Sequence, residues 1–167
     1  MKKYDDIPKK SVFAKIADGE IDEPMVHRGR RVVAFLPKDS IKSSEGNHVL
    51  VAPKRQVDEI YDPKLPLIDV FAMAYIALKV SRRIKQRSGI RALWGVSGYE
   101  IPHAHIHVYA GKRGDPMLSP GVELEHLSDD ERAKIASELY IPTIKEKICK
   151  FFAENKLVSR LCGQNKN

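Results

Sequence analysis

Three histidines within five residues, His103, His105 and His107, spaced by Ala104 and Ile106, concentrate the chemistry of this chain. In a β-strand, side chains two apart share a face, so an extended segment sets the three imidazoles in one row. Residues 101–110 are apolar on the alternate positions and predict a half-buried strand, with the rings along a concave or exposed sheet surface. Imidazole changes charge near neutrality, so such a row can supply nucleophile, acid and cation together. On residues alone three readings stay open: a phosphoryl-transfer site, a metal site and a purely structural row. Adjacent members of a strand row lie about 6.5 to 7 Å apart and the outer two about 13 Å. Zinc needs nitrogens at about 2.0 to 2.1 Å, so one ion cannot take all three, although a pair together with His48 can chelate.

The elements that must hold this row follow from caps and periodicity. Ser11 predicts the N-cap of a short helix carrying Val12, Phe13 and Ile16 and ended by Gly19. Residues 25–27 and 31–36 read as a hairpin, residues 37–46 as a polar loop, and residues 47–52 as a strand closed by Pro53. Residues 66–87 form the longest helical signal, with Phe71, Ala74, Tyr75, Leu78 and, at its end, Val80 marking its apolar side and Gly89 its C-cap. Residues 91–96 predict the strand before the histidines. Ser128 and Glu131 have the spacing of a capping box for a helix to about Tyr140, and Pro142 separates it from a last amphipathic helix with Ile144, Ile148, Phe151 and Phe152. His27 and His126 are expected on a hairpin surface and in a loop.

The chain has 167 residues, 43% of them hydrophobic and 31% charged, which suits one folded core. A formal charge of +7 favours anionic partners. The basic residues are scattered over Arg28, Arg30, Arg31, Lys54, Arg55, Arg82, Arg83, Lys112 and Arg113 with no interleaved aromatic track, so nucleic acid is possible but not indicated. Cys149 and Cys162 make neither a zinc ribbon nor a disulfide framework, and a reducing, cytoplasmic setting is expected. No apolar run reaches the length of a membrane span. Residues 1–10 are expected to be a flexible start and 163–167 a tail.

The string Pro102-His103-Ala104-His105-Ile106-His107-Val108-Tyr109 resembles the His-φ-His-φ-His-φ-φ signature of the histidine-triad (HIT) proteins. Upstream blocks extend the likeness in order: Val12-Phe13-Ala14-Lys15-Ile16 with Gly19-Glu20-Ile21, then Val33-Ala34-Phe35-Leu36, then His48-Val49-Leu50-Val51-Ala52-Pro53. The resemblance covers residues 11–110 and implies an α+β fold. It consists of an antiparallel sheet of about five strands with one long helix and a C-terminal helical extension. A HIT domain would span residues 11–126 and the extension residues 127–162, packed on the same domain, with a second copy of the chain making a homodimer.

By this resemblance the ligand is a nucleotide or nucleotide conjugate, cleaved at the α-phosphorus of a phosphoramidate, ester or anhydride. His105 would be the nucleophile, carrying a covalent nucleotidyl group before water or another acceptor takes it. His103 and His107 would flank it, touching phosphoryl oxygens and orienting its ring, and His48 would join a proton relay. Val12, Phe13, Ile16, Ile21 and Phe35 stand where the family lines a base pocket; Tyr99, Glu100 and Ile101 adjoin the triad. No cofactor or catalytic metal is implied. The substrate frame departs from the family: Pro37 replaces the usual ribose-binding aspartate, leaving Asp39 to substitute. Gly98-Tyr99-Glu100-Ile101 replaces a Gly-Gln-Ser-Val lead, Gln56 replaces a histidine, and Ser11 and Ala14 stand where zinc-binding members have cysteines. A dinucleoside-polyphosphate hydrolase, a non-catalytic nucleotide-binding or regulatory protein, and a metal-binding protein are the alternatives.

Overall fold

The computed structural model describes residues 10–96, 101–112, 115 and 123–154. Helix α1 (Val12–Asp18) starts where the Ser11 hydroxyl accepts the Ala14 amide and ends at Gly19, whose φ of 83° belongs to the left-handed region glycine tolerates. Strands β1 (Met25–Arg28), β2 (Val32–Phe35), β4 (His48–Pro53), β5 (Arg91–Gly95) and β6 (Ile106–Gly111) form one antiparallel sheet in the order β1-β2-β4-β6-β5. The expected polar loop between residues 37 and 46 instead contains β3 (Asp39–Ile41) and a 3-10 turn at Lys42–Ser44. Strand β3 pairs with β7 (Leu124–His126) in a separate two-stranded ribbon. Its partner lies some 85 residues away in sequence, so nothing local announces it.

Side-chain alternation along the strands splits the molecule into two apolar layers. Val32, Ala34, Val49, Val51, Ile106, Val108 and Ala110 face α2 (Leu67–Ser88), which lays Met73, Ile76, Ala77, Val80 and Ile84 on them. Val33, Phe35, Leu50 and Ala52 point the other way and are capped by Phe13, Ile16 and Ala17 of α1. His48 and His107 share this second face, since they alternate with Val49 and Val108.

The expected apolar side of α2 is corrected here. Phe71, Tyr75 and Leu78 are exposed, Phe71 by 68% and Tyr75 by 55%, and the buried face is rotated to Met73, Ala77 and Ile84. The helix is apolar on two sides, and periodicity alone cannot say which one meets the sheet.

Helix α3 (Asp129–Leu139) begins with the capping box of Ser128 and Glu131 and packs on β1 and α2, with Ile135, Ala136 and Leu139 in the main core. The Ile141 amide then bonds the Val26 carbonyl along the outer edge of β1. His27 is therefore not a surface residue: it is buried, and its Nδ1–H donates to the Ile141 carbonyl at 2.8 Å. The guanidinium of Arg132 is enclosed, paired with Glu23 and Asp129 and donating to the Leu36 carbonyl. Helix α4 (Ile144–Glu154) follows. Cys149 on it is disulfide-bonded, against the expectation of free thiols; Cys162 lies outside the described residues. Among the described residues no helix is long and apolar enough to cross a membrane.

Candidate active site

The histidine segment is only half strand. Strand β6 begins at Ile106, so the expected strand from 101 is shortened by five residues. Before it the backbone bends: the His103 amide bonds the Ile101 carbonyl and the Ala104 amide bonds the Val57 carbonyl. Pro102 explains the bend, since it has no amide to give to a ladder. His107 remains on the strand opposite Leu50 and Gly95, while His103 and His105 are delivered by the bend. The rings still gather. Those of His105 and His107 have centroids 4.7 Å apart, and those of His107 and His48 stack at 5.2 Å.

Burial is greater than an open row would give. His103 is wholly enclosed, His105 is 5% exposed and His48 is buried, while His107 is half-buried. Opposite His107 the edge strand β5 carries Gly95, which has no side chain to cover it.

Carbonyl partners fix two tautomers, because a carbonyl only accepts. His105 Nδ1–H donates to the His103 carbonyl at 2.7 Å, which leaves Nε2 as the basic nitrogen of its neutral ring. His103 Nε2–H donates to the Pro53 carbonyl at 2.8 Å, and its Nδ1 accepts from the Ser11 hydroxyl at 2.6 Å. Both nitrogens of His103 are thus committed inside the fold, and the expected contact of this ring with phosphoryl oxygens is corrected: His103 holds His105 through its main-chain carbonyl. His48 Nε2 and His107 Nδ1 share one hydrogen bond at 2.9 Å. Their outer nitrogens, His48 Nδ1 and His107 Nε2, are buried with no partner among the described residues.

Burial also sets the charge. Desolvation pushes His48 down to about 3 and His107 down to about 4, with neighbouring imidazoles adding to the effect. His103 and His105 are lowered by burial too, partly offset by their bonds to carbonyls. With all four lowered, the imidazoles of the cluster are neutral at pH 7.

Around it, Phe13 sets its edge against His105 at 5.0 Å, His103 at 5.8 Å and Phe35 at 5.2 Å. Ile16 is buried beside Phe13 and Phe35, and Ile21 and Ile101 pack at the margin of the same cluster. Val12 is largely exposed on α1. Asp39 does not join the group: it sits on the β3–β7 ribbon, where His126 Nδ1 lies 3.0 Å from its carboxylate. Tyr99 and Glu100 lie outside the described residues. Sequence reading did not place Ser11 and Gln56 at the site, yet Ser11 bonds His103 and its amide bonds the Gln56 side chain at 2.8 Å. The signal was their standing at positions where family members carry cysteine and histidine, which marked both as neighbours of the triad. No three His, Cys, Asp or Glu among the described residues are arranged to hold a metal ion.

Comparison with known proteins places this geometry. Residues 18–114 match the family model of the HIT domain, which leaves α3 and α4 outside the match. An uncharacterized 13.2 kDa HIT-like protein of Azospirillum brasilense is 30% identical over 117 residues, covering 66% of this chain and 93% of that protein. Among solved structures, a HIT-like protein from Bartonella henselae involved in cell-cycle regulation superposes with a TM-score of 0.64 at 16% identity, over 80% of this chain and 96% of the other. A zinc-bound histidine triad family protein from Mycobacterium smegmatis gives 0.61 at 17% identity, over 86% and 96%. The two structures share the fold. With the triad string, the antiparallel sheet and the domain match in one place, the chain belongs to the HIT family, a family of nucleotide-binding and hydrolase-type proteins generally.

Proposed function

We propose that the protein is a nucleotide hydrolase or nucleotidyl transferase that cleaves a phosphoramidate, ester or anhydride at the α-phosphorus. One observation carries this reading: His105 is fixed with a basic Nε2, and beside it His107 Nε2 is buried without a partner among the described residues. A buried polar atom left open is costly unless something supplies the missing bond, and a phosphoryl oxygen is a suitable acceptor.

In the first step the His105 Nε2 lone pair attacks phosphorus and the bond to the leaving oxygen or nitrogen breaks, its electron pair going to the leaving group. A bound phosphoryl anion raises the pKa of the His107 ring, because an adjacent opposite charge favours the protonated form. The stacked His107–His48 pair then holds the proton for the leaving group. In the second step water, or another acceptor, attacks the same phosphorus, the P–N bond to His105 breaks, and the water proton leaves through the same pair. His103 positions the nucleophile. No metal enters either step, since N–H donors around the phosphorus take the developing charge.

Phe13, Ile16 and Phe35 are proposed to bound the base subsite, with Ile21 and Ile101 at its rim. The protein is proposed to act in the cytoplasm as a homodimer. The exposed stripe of Leu67, Ile68, Phe71, Tyr75 and Leu78 continues to Trp94, whose indole N–H donates to Ser81 on α2. Beside it β5 has no second strand partner among the described residues. A second copy would cover both.

The test is turnover of a nucleoside phosphoramidate and a dinucleoside polyphosphate, with mass spectrometry of the quenched enzyme. A nucleotidyl adduct on His105, unaffected by a chelator, is expected, and His105→Ala is expected to lower turnover by about 10³-fold or more. Unchanged turnover in His105→Ala overturns the covalent route. Nucleotide binding without turnover would instead favour a regulatory binding protein, and activity lost to a chelator and restored by zinc would favour a metal site.

A further inference from the structure

We infer that Ser11, with Gln56 behind it, is a positioning residue for His105, acting through the ring and main chain of His103; this rests on His105 as the reacting group. Three hydrogen bonds meet at Ser11. The Ser11 hydroxyl accepts the Ala14 amide at 3.1 Å and donates to His103 Nδ1 at 2.6 Å, while the Ser11 amide donates to Gln56 Oε1 at 2.8 Å. His103 passes the connection on, with its other ring nitrogen on the Pro53 carbonyl and its own carbonyl on His105 Nδ1–H.

The logic is one of protons. The Pro53 carbonyl requires a hydrogen on His103 Nε2, so the neutral ring has only a lone pair at Nδ1. A fully buried lone pair needs a donor, and the Ser11 hydroxyl is the donor present. The bond ties the first turn of α1 to the bend that precedes β6. The peptide that carries the His103 carbonyl is held on one side by the Ala104 amide, which bonds the Val57 carbonyl at 2.7 Å, and the bond from Ser11 to the His103 ring is the second hold on it. That carbonyl in turn decides which His105 nitrogen keeps its proton, and hence which nitrogen faces phosphorus. Phe13, two residues after Ser11, rests on both rings and moves with the same helix turn.

Gln56 is the outer part of the device. It holds the Ser11 amide, one of the free amides at the start of α1, and so fixes where the hydroxyl stands.

The experiment compares wild type with Ser11→Ala, Ser11→Thr, Gln56→Leu and Gln56→Glu, by imidazole ¹⁵N–¹H NMR and by steady-state kinetics. Wild type is expected to show His103 as the Nε2–H tautomer and His105 as the Nδ1–H tautomer with a slowly exchanging proton. Ser11→Ala is expected to speed exchange of the His105 Nδ1 proton and to lower kcat by about tenfold to a hundredfold with KM changed by less than about threefold. Ser11→Thr keeps the hydroxyl and restores both readouts. Gln56→Leu gives the same change in smaller measure and Gln56→Glu, which keeps the acceptor, relieves it; this pair decides the matter if Ser11→Ala does not fold. Unchanged His105 signals in folded Ser11→Ala or Gln56→Leu overturn the inference, whatever the activity. A wild type with the expected tautomers but no turnover would remove the proposed reaction and leave the positioning intact.

Discussion

Acidification of the His48–His107 pair has a magnitude that the structure sets. In the unfolded chain both histidines take up a proton as the pH falls through about 6.5. In the folded protein desolvation keeps His107 neutral down to about 4 and His48 down to about 3. The unfolded state therefore binds more protons throughout this window, and stability falls with pH. The stabilisation is complete above pH 6.5 and is lost as the pH drops toward the folded values. Each histidine loses about 1.4 kcal/mol per pH unit, so at pH 4.5 the pair has forfeited about 5 kcal/mol, as much as the whole stability of a weakly stable domain. Urea unfolding of wild type, His48→Asn and His107→Asn at pH 7.5, 6.0, 5.0 and 4.5 isolates these contributions, since the surface carboxylates are common to all three. Each variant is expected to be less stable than wild type at pH 7.5 and to lose stability on acidification less steeply, by about 1.4 kcal/mol per unit below pH 6.5. Parallel pH dependences in all three proteins would show that the rings are hydrated, and the neutral cluster would be refuted.

Two further outcomes follow from the packing. Phe71→Glu combined with Tyr75→Glu alters only exposed positions on α2, so the fold should persist while light scattering coupled to gel filtration moves from two copies to one; a dimer that survives both substitutions lies on another face. Arg132→Ala leaves Glu23 enclosed without its partner at the junction of α3 with the body of the protein. A loss of about 3 to 5 kcal/mol is expected in urea unfolding, and a loss below 1 kcal/mol would show that Glu23 finds water instead.

The order of helices and strands was legible because its signals are local. Ser11 and Gly19 bracket α1, Gly89 ends α2, and Ser128 with Glu131 opens α3, each by a cap that acts within one turn. The β3–β7 ribbon and the seat of His27 were not legible, since each depends on a partner far along the chain, 85 residues from Ser40 to Glu125 and 114 from His27 to Ile141. The choice of face on α2 failed for another reason. Phe71, Tyr75 and Leu78 make one apolar side of the helix and Met73, Ile76, Ala77, Val80 and Ile84 another, and only the contact with β4 and β6 selects the second.

The site shows the same division at closer range. That His103, His105 and His107 lie close together was readable from their spacing, but spacing assigned them equivalent places on one strand. Pro102 breaks that equivalence by denying the segment its first ladder bond, and the three rings then part in role. His107 stays on the sheet and keeps an open nitrogen, His105 is turned by a carbonyl to present Nε2, and His103 spends both nitrogens on Ser11 and Pro53. Three like residues thus acquire the places that the proposed mechanism uses as donor, nucleophile and anchor. The difference among them lies in which neighbours can only accept a proton, a property of Pro53 and His103 main-chain oxygens that no count of histidines contains.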